Sequence, residues 1–499
     1  MELQFSKNAC DCLRRAVWEI KTDELTQEVR LSDGMCDVGR VLGAWGQVLV
    51  RSKEWRGNGI SISGGVMAWV LYAPEDGSAP ASVETWMPFQ MRWDIPESKR
   101  DGTIVVNCHV GSVDARAVSA RKLMVRAVVS VAGEALEPWQ LEIYSPGELP
   151  EDVHVLRKSY PVRIPKEAGE KTFLLDDELP LNAACEDPER IIRYELHPEI
   201  IEKKIMADKA VFRGAALMRA LCLCRDGQLR TCDFEIPFSQ YADLEREYGP
   251  NASVWVVPAV TSVELESQED GGLHLKAGLI GQYVVYDRPT LEIVEDAYSP
   301  NRSVALQTQL LEVPAMLEER QETIKAEQTM EMEGTEIVDV SFSMEHPGQR
   351  RTDQGIRMEL PGNFQLLCYD SDGNLQGGNA HWESTWELPA APDTSLMSSC
   401  RMSGRTQAIP GAENAVVRCD VLVDMMTASN AGIPMVTALE LGEMLQPDPG
   451  RPSLVLRRAG SDTLWDIAKQ CGSTVEAISQ ANGLTEEPAE GQMLLIPVS

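Results

Sequence analysis

The sequence predicts a mainly β chain: three tandem antiparallel units, each a β-sandwich or barrel-like fold, followed by a small βααβ module. Three observations predict it. Apolar runs meeting Asp-Gly recur at long, nearly constant intervals. Late segments of the units alternate apolar and polar residues with period two. After a Pro- and Gly-rich stretch, the C-terminal segment switches to short, capped helical patterns between two apolar runs.

In the first copy, Gly65 to Tyr72 precedes Asp76-Gly77, and Val83 to Phe89 follows with Pro88-Phe89 at its end. In the second, Met218 to Cys224 precedes Asp226-Gly227, and Phe234-Glu235-Ile236-Pro237-Phe238 follows. In the third, Phe364 to Tyr369 precedes Asp372-Gly373, and Thr385 to Pro389 follows. Asp-Gly supplies the positive φ of a tight hairpin turn, so the flanking runs read as paired strands. Proline is expected to end the pairing, because it has no N–H to donate. The turn glycines lie 150 (227 − 77) and 146 (373 − 227) residues apart. Asp37-Val38-Gly39-Arg40 and Asp187-Pro188-Glu189-Arg190 each start 40 residues before their turn glycine (77 − 37 and 227 − 187). The third copy lacks this Asp-x-x-Arg element. A helical turn is expected at Asp37–Leu42 and at Asp187–Ile192. Leu123, Val125, Ala127, Val129 and Val131, and likewise Ala415, Val417, Cys419, Val421 and Val423, occupy one face of a late strand, the pattern of a sheet covering a core. The divisions that follow are residues 1–160, 161–305 and 306–445, a linker at 446–452, and a module at 453–499.

Composition narrows the function. Of the 499 residues, 46 are Lys or Arg and 77 are Asp or Glu, for a net charge of −31. Such a surface opposes nucleic-acid phosphates and anionic lipid, so neither nucleic-acid binding nor membrane insertion is expected. The longest apolar run near Trp69, Val66 to Ala73, is far short of the ~20 residues of a membrane helix. Met1 to Cys10 has no basic and apolar leader pattern, which favours a cytoplasmic location. The 12 cysteines include no CxxC pair and read as reduced, mostly buried thiols.

No catalytic constellation emerges. Gly59-Ile60-Ser61-Ile62-Ser63 misses the nucleophile elbow at its last position, and Gly57 to Ile62 misses the dinucleotide fingerprint at its third glycine. His109, His154, His197, His274, His346 and His381 are too scattered for metal-ligand spacing. The chain is expected to be no enzyme and to hold no metal or cofactor.

The C-terminal module is the sharpest feature. Ser453 to Arg457 reads as a strand, and Thr463 to Gln470 as a helix capped by Asp462 or Thr463 and closed by Gly472. Ser473-Thr474-Val475-Glu476 opens a second helix that runs to about Asn482 and Gly483, and Gln492 to Pro497 is the second strand. Asp462-Thr463-Leu464-Trp465, Ala481-Asn482-Gly483-Leu484, Gly491-Gln492 and Ile496-Pro497 make residues 453–497 resemble a LysM domain. The resemblance implies binding of N-acetylglucosamine polymers such as peptidoglycan. The groove it implies has Ser461, Asp462, Thr463 and Leu464 on one lip and Asn482, Gly483 and Leu484 on the other. Ser461 stands where the family usually has glycine. Leu464, Trp465, Ile467, Ala468, Ile478 and Ile496 also read, more simply, as the module's core.

The repeated Asp-x-x-Arg, the strand before Asp-Gly and the Pro-Phe after it resemble the SPOCS domain of spore-coat assembly proteins. With LysM at the end, the organisation is similar to SipL/SpoVID-type spore-envelope proteins. That resemblance implies a mother-cell scaffold at the forespore surface. It also implies that the LysM module docks to a coat morphogenetic ATPase while the repeats contact other spore coat proteins. The alternative is a peptidoglycan-binding, wall-associated protein.

Overall fold

The computed structural model describes residues 2–95, 102–180, 188–268, 272–313, 315–332, 336–411, 413–429, 432–445, 450 and 452–498. Strands make up 76% of the chain, and the described residues contain two short helices, both in the C-terminal module. The first copy supplies β1 (Glu2–Gln4), β2 (Ser6–Arg30), β3 (Val38–Arg56), β4 (Gly59–Pro74), β5 (Ala81–Asp94), β6 (Thr103–Ser119) and β7 (Lys122–Ser145). The second supplies β8 (His154–Pro161), β9 (Ile164–Leu179), β10 (Pro188–Met206), β11 (Lys209–Cys224), β12 (Leu229–Asp243), β13 (Ser253–Ser267), β14 (Leu273–Asp287) and β15 (Thr290–Tyr298). The third supplies β16 (Arg302–Leu311), β17 (Ala315–Glu331), β18 (Glu336–Met344), β19 (Gly348–Thr352), β20 (Gly355–Tyr369), β21 (Leu375–Pro389), β22 (Thr394–Pro410), β23 (Asn414–Ser429) and β24 (Ile433–Met444). The module consists of β25 (Leu454–Arg458), α1 (Leu464–Cys471), α2 (Val475–Asn482) and β26 (Met493–Pro497).

Each copy builds the same two antiparallel sheets. One is a meander: β3-β4-β5, β10-β11-β12, and β18-β20-β21 with β19 also on β20. The other brings an early strand of each copy beside two late ones: β2-β7-β6, β9-β14-β13 and β17-β23-β22. The turn between the second and third meander strands is the Asp-Gly hairpin. Gly77, Gly227 and Gly373 have φ of 74°, 82° and 79°, the region a side chain disfavours. Asp76 and Asp226 accept the backbone N–H two residues on, at 3.0 Å each, which fixes the turn.

Two local expectations are corrected. Asp37–Leu42 is not a helical turn: β3 begins at Val38, and β10 likewise covers Arg190 to Ile192. Asp187 and most of the 446–452 linker lie outside the described residues. Pro88 and Pro237 do not end pairing either. They sit opposite Gly65 and Ala215 within β5 and β12, which continue beyond them. Both strands are edges, so the missing N–H leaves no gap in the ladder. In the third copy Pro389 does end β21.

Each copy has its own apolar cluster. Leu123, Val125, Ala127, Val129 and Val131 are fully buried in the first, and Val417, Val421 and Val423 in the third. The copies also share cores. Leu42, Leu71, Ile192, Leu221, Leu367 and Leu375 gather from all three. At another junction Cys12, Leu141, Val162, Ile293, Leu311 and Met435 do the same. There β8 pairs with β15, and β24 pairs with both β16 and the N-terminal β1.

Polar contacts seal these junctions. The Asp-x-x-Arg arginines reach between copies: Arg40 donates to the Leu375 carbonyl at 2.9 Å, and Arg190 to the Pro80 carbonyl at 2.6 Å. Each thereby satisfies a backbone oxygen just after another copy's Asp-Gly turn. Between second and third copies, Thr231 donates to the Val338 carbonyl at 2.9 Å. Arg193, fully buried, pairs with buried Asp339 at 2.5 Å. Its guanidinium lies 4.8 Å from the Trp45 ring, whose Nε1–H donates to Ser341 at 2.9 Å. Residues from all three copies therefore meet at a buried centre.

Cys222, Cys224, Cys368, Cys400 and Cys419 are buried thiols, whereas Cys232 is in a disulfide, so the set is not wholly reduced. Among the described residues no helix is long and apolar enough to cross a membrane.

Candidate functional site: the C-terminal module and a central cavity

In the module, β25 and β26 pair antiparallel, with Leu454 opposite Pro497. α1 is capped by Thr463, whose side chain accepts the Asp466 N–H while the Asp466 carboxylate accepts the Thr463 N–H at 3.1 Å. This reciprocal cap satisfies two of the helix's open donors. Gly472 (φ 63°) and Gly483 (φ 64°) close the two helices in the left-handed conformation. The cap of α2 is Thr474; the preceding Ser473 is buried. The core reading holds for Leu464, Ile467, Ala468, Ile478 and Ile496, which are buried together with Leu494, while Trp465 is only partly buried against them.

The seven proposed groove residues lie on loops at the helix ends, in distinct states. Ser461, Thr463 and Gly483 are exposed, Leu484 and Asp462 are half-buried, and Leu464 is buried. Asp462 is ion-paired with Arg457. Asn482 is fully occupied inside the module. Its amide donates to the Ile478 and Leu495 carbonyls at 2.8 and 2.7 Å and accepts the Leu495 N–H at 2.7 Å. Asn482 therefore fixes α2 to β26, and its side chain is not free for a ligand. The sequence reading missed Glu487, whose carboxylate accepts the Leu464 N–H at 2.8 Å and ties the second loop to the first helix. What remains open to a ligand is the Ser461 side chain, the exposed edge of Leu484 and the exposed backbone of two short loops. Backbone donors and acceptors of this kind can match acetamido groups, while Leu484 offers an apolar contact to a sugar ring.

The module rests on β15 through other residues. Trp465 Nε1–H donates to Asp296 at 2.8 Å, Lys469 bonds the same carboxylate at 2.7 Å, and the Tyr298 hydroxyl donates to the Ser473 carbonyl at 2.9 Å. Tyr298 and Trp465 meet edge to face with centroids 4.8 Å apart. The docking face thus uses α1 and its C-terminal end, and leaves both loops uncovered.

A second feature is a cavity of about 720 Å³ between the three copies. Its wall includes Gln47, Glu195, His197, Lys203, Phe342 and Arg401. Burial, the largest single influence, pushes the Glu195 carboxyl up, but the charges of Arg193, 3.3 Å away, and Arg219 and the contact with His197 together outweigh it and hold the group well below the usual carboxylate range. On the same wall, His109, His346 and Cys400 place their ligand atoms within 4.8 Å of one another. The two imidazoles stand edge to face at 4.3 Å. Burial lowers the pKa of both histidines, His346 to about 4, and raises the Cys400 thiol to about 12. All three are therefore neutral near pH 7. The linear sequence could not reveal this cluster, since His109 and His346 are 237 positions apart (346 − 109) and meet only when the first and third copies pack.

Two paired strands enclosing two short capped helices define a small βααβ module. Residues 461–497 match the LysM domain family, which supports peptidoglycan or other carbohydrate binding. No curated protein and no solved structure matches the chain. The comparisons give no support to the SPOCS or SipL/SpoVID resemblance.

Proposed function

We propose that the chain is a non-enzymatic binding scaffold whose LysM module captures N-acetylglucosamine-containing glycan on the loops around Ser461, Thr463, Gly483 and Leu484. The observation that carries this reading is the orientation of the module. Its contacts with the β body use Trp465, Lys469 and Ser473, while the loops at the other helix ends stay open. The β copies then serve as a rigid base that holds the groove away from their own surface.

A second reading, a spore-envelope assembly scaffold in the mother cell, draws on the ordered repeat of Asp-x-x-Arg, Asp-Gly and Pro-Phe. In it the same groove takes a coat ATPase and the β copies take other coat proteins. Linked weak modules can together exceed either affinity by roughly 10²–10⁴.

Co-sedimentation of the full chain with insoluble peptidoglycan tests the first reading. The expected result is retention of wild type and at least tenfold weaker retention of Ser461→Trp, which adds bulk at an exposed loop position, at unchanged thermal stability. Failure of wild type to sediment would remove the glycan reading and leave the protein-ligand one.

A further inference from the structure

We propose that His109, His346 and Cys400 form a zinc site on the wall of the central cavity. Two imidazoles and a thiol are a borderline-soft donor set suited to Zn²⁺, which takes nitrogen at about 2.0–2.1 Å and sulfur at about 2.3 Å. Ligand atoms on one tetrahedral ion sit roughly 3.3–3.8 Å apart at those bond lengths. The three groups already fall within 4.8 Å, so small side-chain rotations close the shell.

The hydrogen bonding prepares each ligand. His346 Nε2 lies 2.9 Å from the Asn107 carbonyl, an oxygen that can only accept, so Nε2 carries the proton and Nδ1 keeps a free lone pair. The His346 backbone N–H is held by Ser130 at 3.1 Å, which fixes the position of the residue. His109 Nε2 is buried with no hydrogen-bond partner, a costly arrangement that a metal would resolve. Cys400 is 1% exposed and its thiol makes one weak contact, 3.5 Å to the Glu345 carbonyl. Binding would release the thiol proton to solvent and leave a thiolate on the ion. With three protein ligands, a fourth position faces the cavity and can take water or a small ligand. Because the site joins the first copy's β6 to the third copy's β22 and the segment after β18, the ion would also tie these copies together.

The full chain titrated with Co²⁺, a spectroscopic substitute for zinc, tests the assignment. One equivalent should produce a thiolate-to-cobalt charge-transfer band and the visible bands of a tetrahedral ion. Cys400→Ser should abolish the first, and His109→Leu should weaken binding at least 100-fold. His109→Leu removes the unpartnered nitrogen, so the metal-free variant should melt no lower than wild type. Zn²⁺ should then raise the melting temperature of wild type but not of this variant. No band at one equivalent, a charge-transfer band surviving in Cys400→Ser, or equal zinc stabilisation of wild type and His109→Leu would overturn it.

Discussion

Replacing Arg193 with Met should destabilise the chain by about 3–5 kcal/mol, because it leaves Asp339 buried and without its cation. Asp339 is 3% exposed and Arg193 fully enclosed, so water cannot replace the lost partner. Asp339→Leu alone should cost a similar amount by stranding the guanidinium, which would keep only Glu195 and the Trp45 face. The double variant Arg193→Met/Asp339→Leu removes that pair and should recover part of the loss, the remainder being the cost of leaving Glu195 without Arg193. Chemical denaturation of the three variants checks this. Near-additive losses in the double variant would mean that the two charges do not act as a pair.

Gly377→Ala should be comparably severe. A Cβ built there falls 1.6 Å from the Leu42 carbonyl oxygen and 2.7 Å from its carbon. The clash is backbone against backbone, between β21 of the third copy and β3 of the first, so no rotamer change relieves it. The copies must separate locally, which breaks the cluster around Leu42, Leu367 and Leu375 and the Arg40 bond to Leu375. The expected loss exceeds about 3 kcal/mol, beyond ordinary core overpacking. Gly147, with nothing within 4 Å of an added Cβ, is the control and should tolerate alanine. A normal melting temperature for Gly377→Ala would show that the first and third copies do not press together there.

Both results bear on how the chain is divided. The three largest apolar clusters each draw mainly on one copy, and the strands that build them were legible in the sequence because hairpin turns and period-two alternation are local. The φ values of Gly77, Gly227 and Gly373 and the buried faces of β7 and β23 follow directly from those patterns. The module was legible for the same reason: Thr463, Gly472 and Gly483 act within a few residues of themselves.

What the sequence did not disclose is nonlocal. Arg40 and Arg190 read as part of a motif, but their bonds end 335 and 110 residues away. Gly377 looks like any strand glycine until Leu42 is placed against it. His109 and Cys400 look like isolated residues on alternating strands. Asp37–Leu42 was misread because a short Asp-led apolar segment suits a helical turn as well as the start of a strand, and only pairing with β4 decides. In the module, the LysM resemblance puts Asn482 on a groove lip, and the sequence does not show that its side-chain amide is bonded to Ile478 and Leu495.

The central claim, an open LysM groove carried on a β base, is tested most directly by hydrogen–deuterium exchange of the full chain with and without N-acetylglucosamine oligomers. Ligand should slow exchange in segments 459–464 and 483–492, and leave 296–298 and 465–473 unchanged. Protection confined to the β15 face, or none in either loop at saturating oligomer, would contradict it.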